Sequence, residues 1–113
     1  MEFSCTARQA DGRVVLTVLG DVDLAVHARF QAEAEPWAAP PNHLVVDCSG
    51  VTFLDSMGLR VLVQLRRLVT EDGRDFALRA PSPAVLRVLE LAGVESLFSI
   101  LEADEASDPD PVG

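Results

Sequence analysis

The change of period between residues 44 and 70 constrains the fold more than any other feature of this chain. Leu44-Val45-Val46-Asp47-Cys48 is a short, β-branched apolar run, the pattern of a strand covered on at least one face. Ser49-Gly50 is expected to turn the chain, and Val51 to Leu54 leads into Asp55-Ser56-Met57-Gly58, where the apolar run breaks. From Ser56 to about Thr70 the period is helical, with Leu62, Leu65 and Val69 on one stripe and Arg60, Gln64, Arg67 and Glu71 on a polar one. Asp72-Gly73 stops the helix, and Phe76 to Arg79 reads as another short strand. A strand, a helix and a strand in succession require a parallel crossover, so helices pack on a sheet.

The flanking segments complete that α/β reading. Phe3 to Ala10 and Val14 to Leu19 surround Asp11-Gly12, which predicts a β-hairpin. Gly20-Asp21-Val22-Asp23 is expected to form a loop, with Asp23 capping a helix from Leu24 to about Glu35 whose Val26, Phe30 and Ala34 share a face. Pro36 ends that helix, and Trp37 to His43 is a connecting loop in which Trp37 packs. Ser82-Pro83 begins a helix over 84–92 that stops at Gly93. Leu97, Phe98, Ile100 and Leu101 form a last helical turn or strand. The sum is a mixed sheet of about four to five strands with about four helices packed on it.

Charge separates the body from its end. Residues 102–113 carry Glu102, Asp104, Glu105, Asp108 and Asp110 and no base, so removing these five acids from the net charge of −9 leaves −4 on residues 1–101. Residues 1–101 are read as one domain, and 102–113 as an acidic tail expected to be disordered. A mildly acidic body without a dense arginine cluster points away from nucleic acid and anionic membranes. All nine basic residues are arginine, which excludes a Schiff-base lysine and a P-loop. Cys5 and Cys48 have no metal-like spacing and read as buried core residues. The segment MEFSCTARQADG has no basic stretch followed by an apolar one, so no signal peptide is expected and the location is expected to be cytoplasmic.

The break at Asp55-Ser56-Met57-Gly58 carries the chemistry. Asp55 is placed to N-cap the following helix and Ser56 to occupy its first position. Gly58 early in a helix costs about 1 kcal/mol relative to alanine, which implies a close approach there by another element or a partner. A serine hydrolase would need the Gly-x-Ser-x-Gly elbow, but residues 54–58 read Leu-Asp-Ser-Met-Gly. His27 and His43 both read as surface or boundary histidines without an orienting acid, so an enzyme is not expected. A serine at a helix start can instead accept a phosphoryl group, whose charge would alter docking.

Gly20 to Leu24, Leu44 to Leu59, Val85 to Gly93 and Leu97-Phe98 together resemble a STAS domain, and more narrowly a bacterial anti-sigma factor antagonist. The likeness runs over roughly residues 3 to 101. It implies that Ser56 is phosphorylated by an anti-sigma factor with serine kinase activity, that Asp55 is the acidic residue before it, and that Asp21 and Asp23 form an acidic partner-recognition loop. Met57, Gly58, Arg60 and Gln64 would belong to the docking surface. The unphosphorylated protein would bind the anti-sigma kinase and release sigma factor, phosphorylation would end this, and a serine phosphatase would restore it. Such antagonists act in transcriptional and stress signalling, need no cofactor or metal, and are expected as a monomer or weak dimer. Met57 departs from the family, which commonly has serine or threonine there. The alternative implied by the same family is a stand-alone subunit of an ABC-type lipid transport complex, docked constitutively without phosphorylation.

Overall fold

In the computed structural model the described residues are 2–103. The tail expected to be disordered therefore lies, from Asp104 onward, outside the described residues. The strands are β1 (Ser4–Ala10), β2 (Arg13–Val22), β3 (His43–Leu54), β4 (Phe76–Arg79) and β5 (Ser99–Leu101), and the α-helices are α1 (His27–Ala34), α2 (Ser56–Thr70) and α3 (Pro83–Ala92). Single 3-10 turns occupy Glu35–Ala38 and Glu95–Leu97. The last segment thus holds both of its expected alternatives, and three α-helices with two short turns stand where about four helices were expected.

The sheet runs β1-β2-β3-β4-β5, with β1 antiparallel to β2 and the other pairs parallel. Asp11 and Gly12 both have positive φ, as the tight hairpin turn between right-twisted strands requires. Each parallel connection carries one helix, and right-handed crossovers between sequential neighbours place all three helices on the same face. There Val14, Leu16, Val18 and Val22 of β2 meet Leu44, Val46, Val51 and Leu54 of β3 in one cluster with Phe30, Leu62, Leu65, Val69, Val85 and Leu89 of the helices. The stripe predicted for α2 is therefore buried. Cys48 belongs to this core and Cys5 packs against it, and burial pushes their thiols up to about 12 and about 11.

Three local expectations are corrected. Ser49-Gly50 does not turn the chain: β3 continues to Leu54 with register shifts against β2 near Cys48 and near Thr52. Asp47 Oδ1 accepts from Ser49 N and Ser49 Oγ, which holds the extra residue in a bulge. Gly20, Asp21 and Val22 are likewise strand, paired with this extension. Helix α1 begins at His27 instead of Leu24, because Asp23 Oδ1 accepts from Ala25 N while Asp23 O accepts from Val26 N and His27 N, closing a turn over 24–26.

At the far end of the sheet, Arg74 ties three segments together. Its guanidinium donates to Ala38 O at 2.8 Å, Asn42 O at 2.7 Å, Leu68 O at 3.1 Å and Asp72 Oδ1 at 2.7 Å. Planar multidentate donation is something an ammonium group cannot reproduce. Arg74→Met is expected to lower unfolding free energy by about 2–3 kcal/mol, since several half-buried acceptors lose a charged donor, and Arg74→Lys should recover less than half of that in urea titrations.

On the face away from the helices, Arg79 Nε and Nη2 donate to Asp47 Oδ2 at 2.9 and 2.6 Å. Burial alone would raise the Asp47 pKa, but hydrogen bonds from Ser49 and Arg79 outweigh it and hold the carboxyl below the usual range. A carboxylate depressed in the folded state stabilises fully above its unfolded value, about 3.9, and that stabilisation is lost as pH falls through the folded value. Thermal melts of the wild type should therefore lose stability below about pH 4, whereas Asp47→Asn should start lower and show a shallower acid limb.

Candidate functional site

The end of β2, the end of β3 and the start of α2 meet at Ser56. Asp55 N donates to Val22 O at 3.2 Å, and Asp55 O accepts the first helical hydrogen bond from Leu59 N at 3.0 Å. Asp55 Oδ1 accepts from Met57 N at 2.9 Å and Gly58 N at 3.0 Å, so the predicted cap is formed and both amides are committed to it. Ser56 stands at the first helical position, exposed.

Gly58 is buried. A Cβ at this position would lie 2.9 Å from Val22 O, 2.9 Å from Val22 Cγ1 and 2.5 Å from Leu54 Cδ1. The close approach inferred from an early helical glycine is thus made by the last residue of β2. Gly58 seats α2 on the sheet and offers no surface for a partner, unlike its neighbours in the resemblance.

Asp21 and Phe53 are register partners across β2 and β3. Thr52 Oγ1 donates to Asp21 Oδ1 at 2.6 Å, and this hydrogen bond holds the Asp21 carboxyl below the usual range. Asp23 follows one residue after the β2 end, its carboxylate engaged with Ala25 N. Asp21 and Asp23, at and just past the end of β2, thus lie at the same end of the sheet as Asp55 and the start of α2. On the other side, Met57, Arg60 and Gln64 line an open groove between α1 and α2, of about 370 Å³, together with His27, Gln31 and Val61. His27 Nδ1 lies 2.8 Å from Leu24 O, and His43 Nδ1 accepts from Asp75 N at the far end of the sheet.

Two residues missed by the sequence reading belong here. Leu24 is 67% exposed and Phe53 48% exposed. Leu24 lies in the turn ahead of α1, and Phe53 faces outward between the core residues Val51 and Leu54 of the bulged half of β3. Large apolar side chains left in water beside carboxylates and a hydroxyl form a surface suited to burial by another protein.

The junction predicts a ranked series in urea denaturation. Asp55→Ala should cost about 1 kcal/mol through the lost cap. Gly58→Ala should destabilise by about 1–3 kcal/mol despite better helix propensity, because Val22 backbone must move. Ser56→Ala should stay within about 0.5 kcal/mol of wild type.

Comparison with known proteins places this geometry in a family. The family model described as "Mlab, STAS domain" matches residues 5–102. A STAS-domain containing protein of Pseudomonas aeruginosa is 33% identical over 92 residues, covering 80% of this chain and 91% of that protein. The anti-sigma-F factor antagonist RsfB of Mycobacterium tuberculosis is 30% identical over 99 residues, covering 87% of this chain and 80% of RsfB. The crystal structure of an anti-sigma factor antagonist from Mycobacterium paratuberculosis superimposes with a TM-score of 0.79 at 26% identity, covering 88% of this chain and 86% of that one. A family-model match that begins in β1 and ends just past β5, with a relative 33% identical over most of the chain, leaves one conclusion: the chain belongs to the STAS domain family.

Proposed function

We propose that this domain is an anti-sigma factor antagonist whose binding is switched off by phosphorylation of Ser56. The observation that carries the reading is an exposed serine at the start of α2, at the same end of the sheet as Asp21, Asp23 and the exposed Leu24 and Phe53, in a chain similar to RsfB. The partner is an anti-sigma factor that is also a serine kinase. Leu24 and Phe53 supply the apolar contact, Asp21 and Asp23 the charge, and Met57, Arg60 and Gln64 the helix face that extends the surface. A partner surface with an apolar centre and a basic rim complements this arrangement.

In the switching step Ser56 Oγ attacks the γ-phosphorus of ATP held by the kinase. The bond to the β-bridging oxygen breaks, ADP leaves, and the serine proton passes to the kinase. The phosphoserine carries about −1.5 to −2 charge. Because Asp55 already occupies the Met57 and Gly58 amides, the new dianion projects outward, stabilised by the positive end of the helix and by Arg60 one turn on. Burying it under a partner would desolvate it beside three carboxylates. A penalty of roughly 3 kcal/mol lowers affinity on the order of a hundredfold. A serine phosphatase reverses the step by hydrolysing the phosphoester. STAS subunits that dock without modification would use the same surface, and the variants below separate the two readings.

Incubation with the anti-sigma kinase and ATP should place phosphate on the Ser56 peptide by mass spectrometry. In calorimetric titrations Ser56→Ala should bind like wild type and Ser56→Asp at least about tenfold more weakly, a difference of about 1.4 kcal/mol. Equal affinities together with no phosphate on Ser56 would assign the domain to constitutive docking. Phe53→Ala should weaken binding by a similar factor through loss of an apolar anchor while leaving the melting temperature nearly unchanged.

A further inference from the structure

The groove between α1 and α2 has one formal charge in its walls. His27 and Gln31 of α1 and Met57, Arg60, Val61 and Gln64 of α2 line it. The guanidiniums of Arg29, Arg66 and Arg74 are spent within the fold, on Glu33, on Leu97 O and on the Ala38, Asn42 and Leu68 carbonyls with Asp72. Arg60 is exposed and donates to none of the described residues. The nearby acids are committed elsewhere. Asp23 accepts from Ala25 N, Asp55 from the Met57 and Gly58 amides, and Glu35 from Gln31 Nε2 while lining a different groove. Leu24 O can only accept, so His27 donates from Nδ1 and its neutral ring adds no charge.

We propose that this groove receives a glutamate side chain of the anti-sigma kinase, and that Arg60 exchanges its carboxylate for the phosphate once Ser56 is modified. The inference rests on the reading of Ser56 given above. A kinase that reaches Ser56 covers the residue next to Met57, so the groove lies under the same partner. Arg60 and Gln64 are one helical turn apart and converge on one anion, where a guanidinium holds a carboxylate with two parallel hydrogen bonds. Met57 and Val61 form an apolar wall for the methylenes of a side chain lying along the groove. A lysine or arginine in the same place would meet the Arg60 charge. Ser56 and Arg60 are also four residues apart on α2, acid-bearing position first, the favourable order for an ion pair. With the first amides held by Asp55, Arg60 is the free cation within reach of a phosphate there. Phosphorylation therefore acts twice: it adds a dianion to the docking surface and withdraws the anchor of the partner's glutamate.

The test is a double-mutant cycle in calorimetric titrations with the same kinase. Arg60→Gln should weaken binding about tenfold and Arg60→Glu about a hundredfold, with melting temperatures unchanged. In the Arg60→Gln background Ser56→Asp should cost less than about threefold, because the residue it captures is already gone. Repulsion alone predicts an equal or larger loss without Arg60, so an undiminished loss would overturn the exchange. In the isolated phosphoprotein, phosphorus NMR should give a lower second phosphate pKa for wild type than for Arg60→Gln, and equal values would overturn it too. Wild-type affinity in both Arg60 variants, with Ser56→Asp still weakening binding, would overturn this inference alone. No binding and no phosphate on Ser56 would overturn the functional reading with it. Self-association of the wild type that Arg60→Glu abolishes would assign the groove to a second copy instead.

Discussion

The fold and the site share one small joint: the single hydrogen bond from Asp55 N to Val22 O, with Gly58 pressed against the same carbonyl. This joint fixes where β2 ends, where β3 ends and the direction in which α2 departs. Everything on the exposed side of it, including Ser56, inherits its position from that contact. The carboxylate of Asp55 closes the helix end and so leaves the serine hydroxyl outside, with no role in holding the helix. A residue that does no structural work can be modified without unfolding what carries it, and a dianion there is felt by a partner more than by the core.

Much of this was legible in the sequence where local rules agree. Helix α2 matched its predicted bounds because an Asp cap, a helical apolar period and a terminal Asp-Gly all mark the same element. Helix α3 was equally clear from Ser82-Pro83 and from Gly93, which takes the left-handed conformation its position needs. The hairpin followed from Asp11-Gly12 with β-rich runs on both sides. Ser56, Met57, Arg60 and Gln64 fell on the surface because the helical phase was right.

The errors arose where one composition serves two geometries. Ser-Gly after a strand is turn chemistry, but the Asp47 side chain supplies the missing hydrogen bonds and converts the pair into a bulge. Asp23 can cap a helix or close a local turn, and the same side-chain bond two residues on suits either. Both ambiguities fell at the functional end of the sheet, so Leu24 and Phe53 went unseen. Leu24 is exposed by the local turn that Asp23 closes, and Phe53 by its place between two core residues of the bulged strand. Which valine of Val14-Val15 faces the helices depends on pairing with β3.

The bulged half of β3 has a further consequence. Val51 and Leu54 are anchored in the core, while Thr52 and Phe53 between them face outward. The anchors bear the load of folding, and the intervening pair is mechanically insulated from it. Substitutions at these two positions can therefore change the exposed edge while the sheet, the cap and the serine keep their geometry. A scaffold built in this way can vary its outer edge at two positions without disturbing the core beneath.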